Sequence, residues 1–171
     1  MGDTAAERIR AFAADAVSAA RLPDGAGRLI AVGWATVETD RAVGELADAL
    51  GIAPTSFRAA PPSAALGASC LVLDAPLPGD VALAVVEPAT EGRIAAGLAR
   101  WDEGPLVAWY AATAEPESEP DGLAVPTVPG ASATSTASGR VGPFGPERLV
   151  GGDPLTGPHR LLVDGPGTIR T

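Results

Sequence analysis

The chain has few of the residues that build metal sites and disulfides. Its 171 residues include one cysteine, Cys70, and one histidine, His159, and all 12 basic residues are arginine. A single cysteine excludes an internal disulfide and a cysteine-based zinc site, and a single histidine excludes a histidine-rich metal site. The apolar neighbours of Cys70, residues 71–73, indicate a buried and inert thiol rather than a reactive one.

Long apolar runs and clustered positive charge are also missing. No run reaches the roughly 18 apolar residues of a membrane span, and the acidic N-terminal region lacks the apolar segment of a signal peptide. The formal net charge of −9 argues against binding nucleic acid or an anionic membrane surface. We therefore expect a cytoplasmic protein of bacterial type, and we attribute the use of arginine without lysine to GC-rich coding.

What the chain does have is a hydrophobic content of 46%, enough for one domain or for two small modules that share a core.

Residues 80–112 form the clearest secondary-structure pattern of the chain. The Val-rich apolar run at 81–86 predicts a strand buried on both faces. A helical apolar stripe follows, with Thr90 as the predicted cap and the sequence DEGP as the stop. Residues 106–112 are apolar again and predict a second strand.

The segment before this stretch predicts an accessory helix and a βαβββ unit. Residues 3–22 predict a helix that begins at Asp3 or Thr4, with Glu7 completing a loose capping box. Alternating and helical apolar spacings then predict the βαβββ order over residues 28–88. Its predicted elements are a strand at 28–38, a helix with Thr39 or Asp40 as cap and Gly51 as C-cap, a short strand at Phe57, and strands at 66–74 and 81–86.

The segment after residue 105 predicts a second, degenerate module. Its first strand is evident, but no helix follows, because EPESEP is broken by proline and GASATSTASG has no apolar period. Short strands are expected near residues 140–144 and 148–150. The predicted organisation is an accessory helix at 1–24, a βαβββ module at 28–88, a linker helix at 89–104, and a second module at 105–171 with a flexible loop at 114–139.

Four segments resemble the vicinal oxygen chelate superfamily, which includes glyoxalase I, bleomycin-resistance proteins and methylmalonyl-CoA epimerase. The sequence VVEP at 85–88, the helix after it and DEGPLV at 102–107 are similar to the "LLEP", helix and "GEGxHH" order of the epimerase branch. Residues 28–42 and 153–163 resemble the opening strand and the closing hairpin. The resemblance implies an α+β fold, in which paired βαβββ modules form a curved mixed sheet around a central cup, with an extra N-terminal helix here.

The enzymes of this superfamily hold a divalent metal in the cup with four ligands, two from each module. The resemblance places those positions on Ala31, on Ala84, on Val107 or Leu106, and on Leu162 or Val163. None of these side chains can coordinate a metal. The resemblance therefore implies a metal-free protein with no cofactor.

The alternation of side chains along a strand predicts which residues face the cup. The predicted ligand-binding residues are Ala31, Gly33, Ala35, Ala84, Val86, Val107 and Trp109. Trp34 and Tyr110 are expected on the opposite face, towards the helices. Two interpretations of Trp109 stay open, because its ring either stacks on an apolar ligand or fills a cup that has collapsed into core.

Two polar residues are weaker candidates for chemistry. His159 is predicted in a turn and exposed to solvent rather than acting as a proton relay with Asp153 or Asp164. Glu87 follows a buried strand, and a structural contact is favoured over a role as general base. No catalytic residue is assigned.

Three functions follow as hypotheses. The first is non-catalytic binding of a small apolar or amphipathic molecule in the cup. The second is a metal-independent isomerase or lyase resembling methylmalonyl-CoA epimerase, and the third is a scaffold or interaction subunit. Because the sequence predicts no helix in the second module, one face of its sheet needs a cover. We expect either the helix at residues 3–22 or a second copy of the chain, in a homodimer, to supply it.

Overall fold

The computed structural model describes residues 3–18, 22–113, 140–150 and 157–165, which form three α-helices and one eight-stranded sheet. The predicted flexible loop at 114–139 and the first part of the predicted closing hairpin lie outside these residues. The elements are α1 (Ala5–Ala16), β1 (Ala26–Ala35), α2 (Thr39–Leu50), β2 (Phe57–Ser63), β3 (Ala68–Leu73), β4 (Ala82–Pro88), α3 (Arg93–Trp101), β5 (Gly104–Ala112), β6 (Arg140–Gly142), β7 (Gly145–Leu149) and β8 (His159–Val163).

The strand order β2-β3-β4-β1-β5-β8-β7-β6 contains the same module twice. In each half the first strand pairs in parallel with the fourth, as β1 with β4 and β5 with β8, and antiparallel pairs complete the half. The halves join through the antiparallel pair β1 and β5. The sheet curves until its ends approach each other, where the Ala64 N–H donates to the Val141 carbonyl over 3.1 Å. This arrangement confirms the predicted α+β fold of paired modules.

The two faces of the sheet carry separate apolar clusters. The concave cluster lines the cup and includes Ala31, Val107 and Trp109, together with Ile94 and Leu98 of α3. The convex cluster packs under α1 and α2 and includes both Trp34 and Tyr110. The predicted division of the strand residues between the cup and the helices is therefore confirmed.

Helix α1 covers the convex face of the second module. Its N-terminus is fixed by a capping box, in which Thr4 and Glu7 each bond the other's backbone N–H. Ile9 is buried in the convex cluster, and the Tyr110 hydroxyl donates to the Ala16 carbonyl over 3.0 Å. Of the two covers expected for this face, the structure therefore shows the helix, although α1 ends at Ala16 and is shorter than predicted.

Two helix starts differ from their predictions. Helix α2 begins at Thr39 with Glu38, not Thr39 or Asp40, as its N-cap residue. Helix α3 begins at Arg93 with Gly92 as its N-cap residue, and Thr90 lies two residues before that cap. The hydroxyl of Thr90 instead lies against the turn before β3, at 3.2 Å from where a Cβ on Gly67 would stand. Gly67 has a φ of +65°, and this close approach and backbone conformation both favour glycine there.

Candidate functional site

The seven residues predicted to bind a ligand lie together on the concave side and are all buried. The Trp109 ring occupies the space between them and is 0% exposed. A Cβ placed on Gly33 would stand only 2.7 Å from the Cζ3 atom of this ring, and the Phe144 ring meets it edge-on with a centroid separation of 5.3 Å. Any ligand that contacts these seven residues must therefore displace the Trp109 ring.

The positions that the sequence resemblance assigns to metal ligands carry apolar side chains on the concave side. Ala31, Ala84 and Val107 are 0% exposed, and at the fourth position Val163, rather than Leu162, belongs to the concave cluster. Alkyl side chains offer no lone pair to a metal ion. Among the described residues, no group of three or more His, Cys, Asp or Glu side chains is arranged to hold one. The described residues of the cup thus do not fit a metal.

A carboxylate does enter the cup, from a residue that the sequence did not single out. Glu147 on β7 is 1% exposed, and its Oε2 accepts a hydrogen bond of 2.9 Å from the Trp109 indole N–H. Its Oε1 accepts from the Ser63 hydroxyl and, over 3.4 Å, from the Ala65 N–H. The Ser63 oxygen in turn accepts from the Leu66 N–H over 3.2 Å. Glu147 therefore joins three strands of the two modules across the cup.

Burial governs the acidity of this group. The loss of water around Glu147 raises its pKa above the ordinary value, and the hydrogen bonds from Ser63, Trp109 and Ala65 offset only part of that rise. A neutral Glu147 can keep its contact with Ser63 by donating its own proton to the hydroxyl. Gly142 makes room for the carboxyl, because a Cβ there would stand 2.0 Å from Oε2.

The single histidine is not where the sequence predicted it. His159 is 1% exposed and lies in β8, not in an exposed turn. The parallel pairing of β8 with β5 places it opposite Val107, and its Nε2 lies 3.2 Å from the Arg93 carbonyl oxygen. The prediction of a solvated turn residue was wrong, because β8 begins immediately after Pro158 and takes His159 into the sheet.

The mouth of the cup holds a cavity of about 310 Å³, which we call the mouth cavity. Its walls come from the turn after β2, the first residue of α3, and strands β6 and β7. The lining residues are Ala65, Arg93, Arg140, Glu147, Arg148 and Leu149. Arg140 is anchored by a 3.2 Å hydrogen bond from its Nη1 to the Ala64 carbonyl. Glu147 and three arginines thus line this cavity. Arg148 pairs with Leu162 of the convex cluster, so its side chain lies on the other face of β7 from Glu147.

Glu87 and Cys70, the other two candidates from the sequence, lie in environments that suit a structural role. The Thr39 hydroxyl donates to a Glu87 carboxylate oxygen over 2.7 Å, which ties the start of α2 to β4 on the convex side. Cys70 is buried, and burial raises the pKa of its thiol to about 11, so the thiolate that would react is scarce at neutral pH. The structural interpretation is favoured for both residues.

The comparisons with solved structures relate this fold to epimerases. Methylmalonyl-CoA epimerase from Streptomyces coelicolor, solved with 2-nitronate-propionyl-CoA, is 18% identical, with a TM-score of 0.52 over 81% of this chain and 97% of the epimerase. The Mycobacterium tuberculosis epimerase gives the same identity and TM-score over 80% and 86%. A hypothetical protein from Bacillus halodurans is 14% identical, with a TM-score of 0.50 over 84% and 98%. No family model and no curated protein matches the sequence.

These likenesses define the class of fold. The chain has the fold of these solved structures, an α+β fold of paired modules as the sequence resemblance implied. Within that class, its structural neighbours include methylmalonyl-CoA epimerases. Identities below 20% support a shared fold and nothing finer.

Among the described residues, no helix combines the length and the apolar character needed to cross a membrane.

Proposed function

We propose that this protein binds a small amphipathic molecule without catalysis and without a metal, and that the ligand lies in the mouth cavity. The observation that carries the proposal is the contrast between the two parts of the cup. Trp109 fills the deep part, whereas about 310 Å³ stays open at the mouth. Pockets that take small ligands start at about 300 Å³, so the cavity suits a compact molecule.

The lining of the mouth cavity supports an amphipathic ligand. Ala65 and Leu149 present apolar surface, and the arginines present hydrogen-bond donors. Ligand sites commonly combine apolar walls with a few polar groups that fix orientation. The deeper residues predicted as ligand contacts, such as Val107, would join the site only if the Trp109 ring swung away from Gly33.

The test is a thermal-shift and calorimetric screen with eight-carbon amphipaths, namely octan-1-ol, octanoate and octylammonium. We expect at least one to bind the wild type, and Ala65→Leu to weaken that binding by filling the cavity. Ala59→Leu, which adds the same side chain at an exposed position on β2 outside the cavity lining, is the matched control. Absence of binding by every probe, or equal loss in both variants, would reject the mouth cavity as a ligand site.

A second function, metal-independent acid–base catalysis, is favoured by one specific observation. Glu147 is a buried carboxyl group with a raised pKa on the wall of the mouth cavity, and such groups act as general bases when a substrate proton comes within reach. The epimerases among the structural neighbours make methylmalonyl-CoA a natural trial substrate.

This alternative is tested by proton exchange. Methylmalonyl-CoA is incubated with the protein in D₂O, and incorporation of deuterium at its α-carbon is followed by NMR. The binding proposal expects exchange at the rate of the protein-free control. Exchange that the wild type accelerates and Glu147→Gln does not would replace the binding proposal with the enzymatic one.

A further inference from the structure

The charge around the mouth cavity is opposite in sign to that of the whole chain. The chain has a formal net charge of −9, yet three of its 12 arginines, Arg93, Arg140 and Arg148, line this one cavity. They come from three separate elements, the start of α3 and the strands β6 and β7, so the fold and not a local sequence run brings them together. The one acidic side chain in the lining, Glu147, has both carboxyl oxygens bonded to protein donors.

The position of the arginines suits a group that enters from solvent. Arg93 is partly exposed and Arg140 is exposed, whereas the side chain of Arg148 lies on the other face of β7. The bond from Arg140 to the Ala64 carbonyl uses one Nη1 proton. A guanidinium carries five N–H donors, so four of them are not used by this bond, and the bond also restrains the orientation of the group.

The N-terminus of α3 adds to the positive potential at the same place. Arg93 is the first residue of that helix, and Gly92 is its N-cap residue without a side-chain cap. The N-terminal end of a helix carries a partial positive charge that favours anions, although this effect is smaller than that of the guanidinium groups. The arginines and the N-terminus of α3 therefore both favour a negatively charged ligand.

We propose that the mouth cavity recognises an oxyanion, a carboxylate or a phosphate, as the polar head of the amphipathic ligand. Guanidinium groups bind both oxyanions through paired, charge-assisted hydrogen bonds. The head lies between Arg93 and Arg140, and the apolar part contacts Ala65 and Leu149. This inference rests on the proposed function and adds the chemical class of the ligand to it.

The experiment compares four probes that share an eight-carbon chain and differ in the head: octanoate, octyl phosphate, octan-1-ol and octylammonium. Binding is measured by calorimetry on the full chain for the wild type and Arg140→Gln. Arg28→Gln is the control, because Arg28 is an exposed arginine on β1 that does not line the cavity. Both arginines are exposed, so these substitutions should leave the fold intact, and thermal melts verify that they do.

We expect at least one of the two anions to bind about tenfold more tightly than octan-1-ol, and Arg140→Gln to remove most of that advantage, as expected for loss of a charge-assisted hydrogen bond. The Arg28→Gln variant should match the wild type. Added salt should weaken the binding of the anionic probes and leave the binding of octan-1-ol unchanged. Whichever anion binds more tightly identifies the source of the oxyanion, carboxylate or phosphate.

Other results would overturn the inference in distinguishable ways. Equal affinity for octan-1-ol and both anions would reject oxyanion recognition while leaving amphipath binding intact. Tighter binding of octylammonium would reject it in favour of recognition by Glu147. Equal weakening by Arg140→Gln and Arg28→Gln would assign the effect to the overall charge of the protein. No binding by any probe would reject the proposed function itself, and this inference with it.

Discussion

Replacing Trp109 by alanine tests whether the deep part of the cup is core. The ring is fully buried, lies over Gly33 and meets Phe144 edge-on. Removing a buried tryptophan ring costs about 3–5 kcal/mol of unfolding free energy. The change also removes the indole donor of Glu147, and an unsatisfied buried acceptor costs about 1–3 kcal/mol. Domains of this size are stable by about 5–15 kcal/mol, so Trp109→Ala should lose a large part of that stability.

Milder variants keep this prediction measurable. Trp109→Phe retains an aromatic ring and loses the indole N–H, so its free energy of unfolding should fall between those of the wild type and Trp109→Ala. Trp101→Ala is the control, because Trp101 is 53% exposed and its ring packs with Arg100. Its removal should cost less than about 1 kcal/mol. The assay is urea unfolding of each variant, monitored by circular dichroism.

A second substitution isolates the contact beneath the ring. A Cβ on Gly33 would stand 2.7 Å from Trp109 Cζ3 and 2.9 Å from Val107 Cβ, so Gly33→Ala should cost about 1–3 kcal/mol through overpacking. The cost should shrink in the Trp109→Phe background, where the nearest ring atom is gone. If Trp109→Ala loses less than about 1 kcal/mol, the ring is not part of the core. The interpretation of Trp109 as a ligand-stacking residue would then be preferred.

Three further predictions concern the acid, the first helix and the metal. Burial raises the pKa of Glu147, so the folded state holds its proton more tightly than the unfolded state does. The associated stability is present at acid pH and lost as pH rises through the folded pKa, so the melting temperature of Glu147→Gln should gain on the wild type as pH rises above the ordinary pKa of glutamate. Deletion of residues 1–22 should uncover Tyr110 and cause aggregation or loss of stability, whereas an equally stable, soluble product would deny α1 its role as a cover. Protein purified without chelator should contain far less than one equivalent of zinc, nickel, cobalt or manganese by elemental analysis, and a stoichiometric metal would overturn the assignment of Ala31, Ala84 and Val107 to the ligand positions.

The fold was predictable because its strong signals are local. The Val-rich run that became β4 and the apolar strand that became β5 have periods and stops that need no partner to be recognised. Alternation along β5 then assigned Trp109 and Tyr110 to opposite faces, as the structure shows. The capping box at Thr4 is equally local, since its two partners are three residues apart.

The candidate site was not predictable, because distant residues build it. Glu147 occurs in the short sequence GPERL, where a glutamate next to an arginine is usually solvated, and no pattern indicates that it reaches Trp109 and Ser63. The lining of the mouth cavity extends from Ala65 to Leu149 and has no common spacing. His159 was misplaced for a related reason, since only its pairing with β5 takes it out of the turn.

The near-closure of the sheet has a consequence for how binding and opening are linked. The Ala64–Val141 hydrogen bond joins the turn after β2 to β6, and so connects the two ends of the sheet. The mouth cavity lies beside this contact and has walls from both halves. A ligand bound there contacts both halves of the sheet and holds them together. By thermodynamic linkage, any change that favours the closed arrangement of the two sheet ends also tightens ligand binding. Hydrogen exchange of the Ala64 amide in deuterated water would report how often the two sheet ends separate. Each tenfold increase in the ratio of ligand-bound to ligand-free protein should slow that exchange about tenfold.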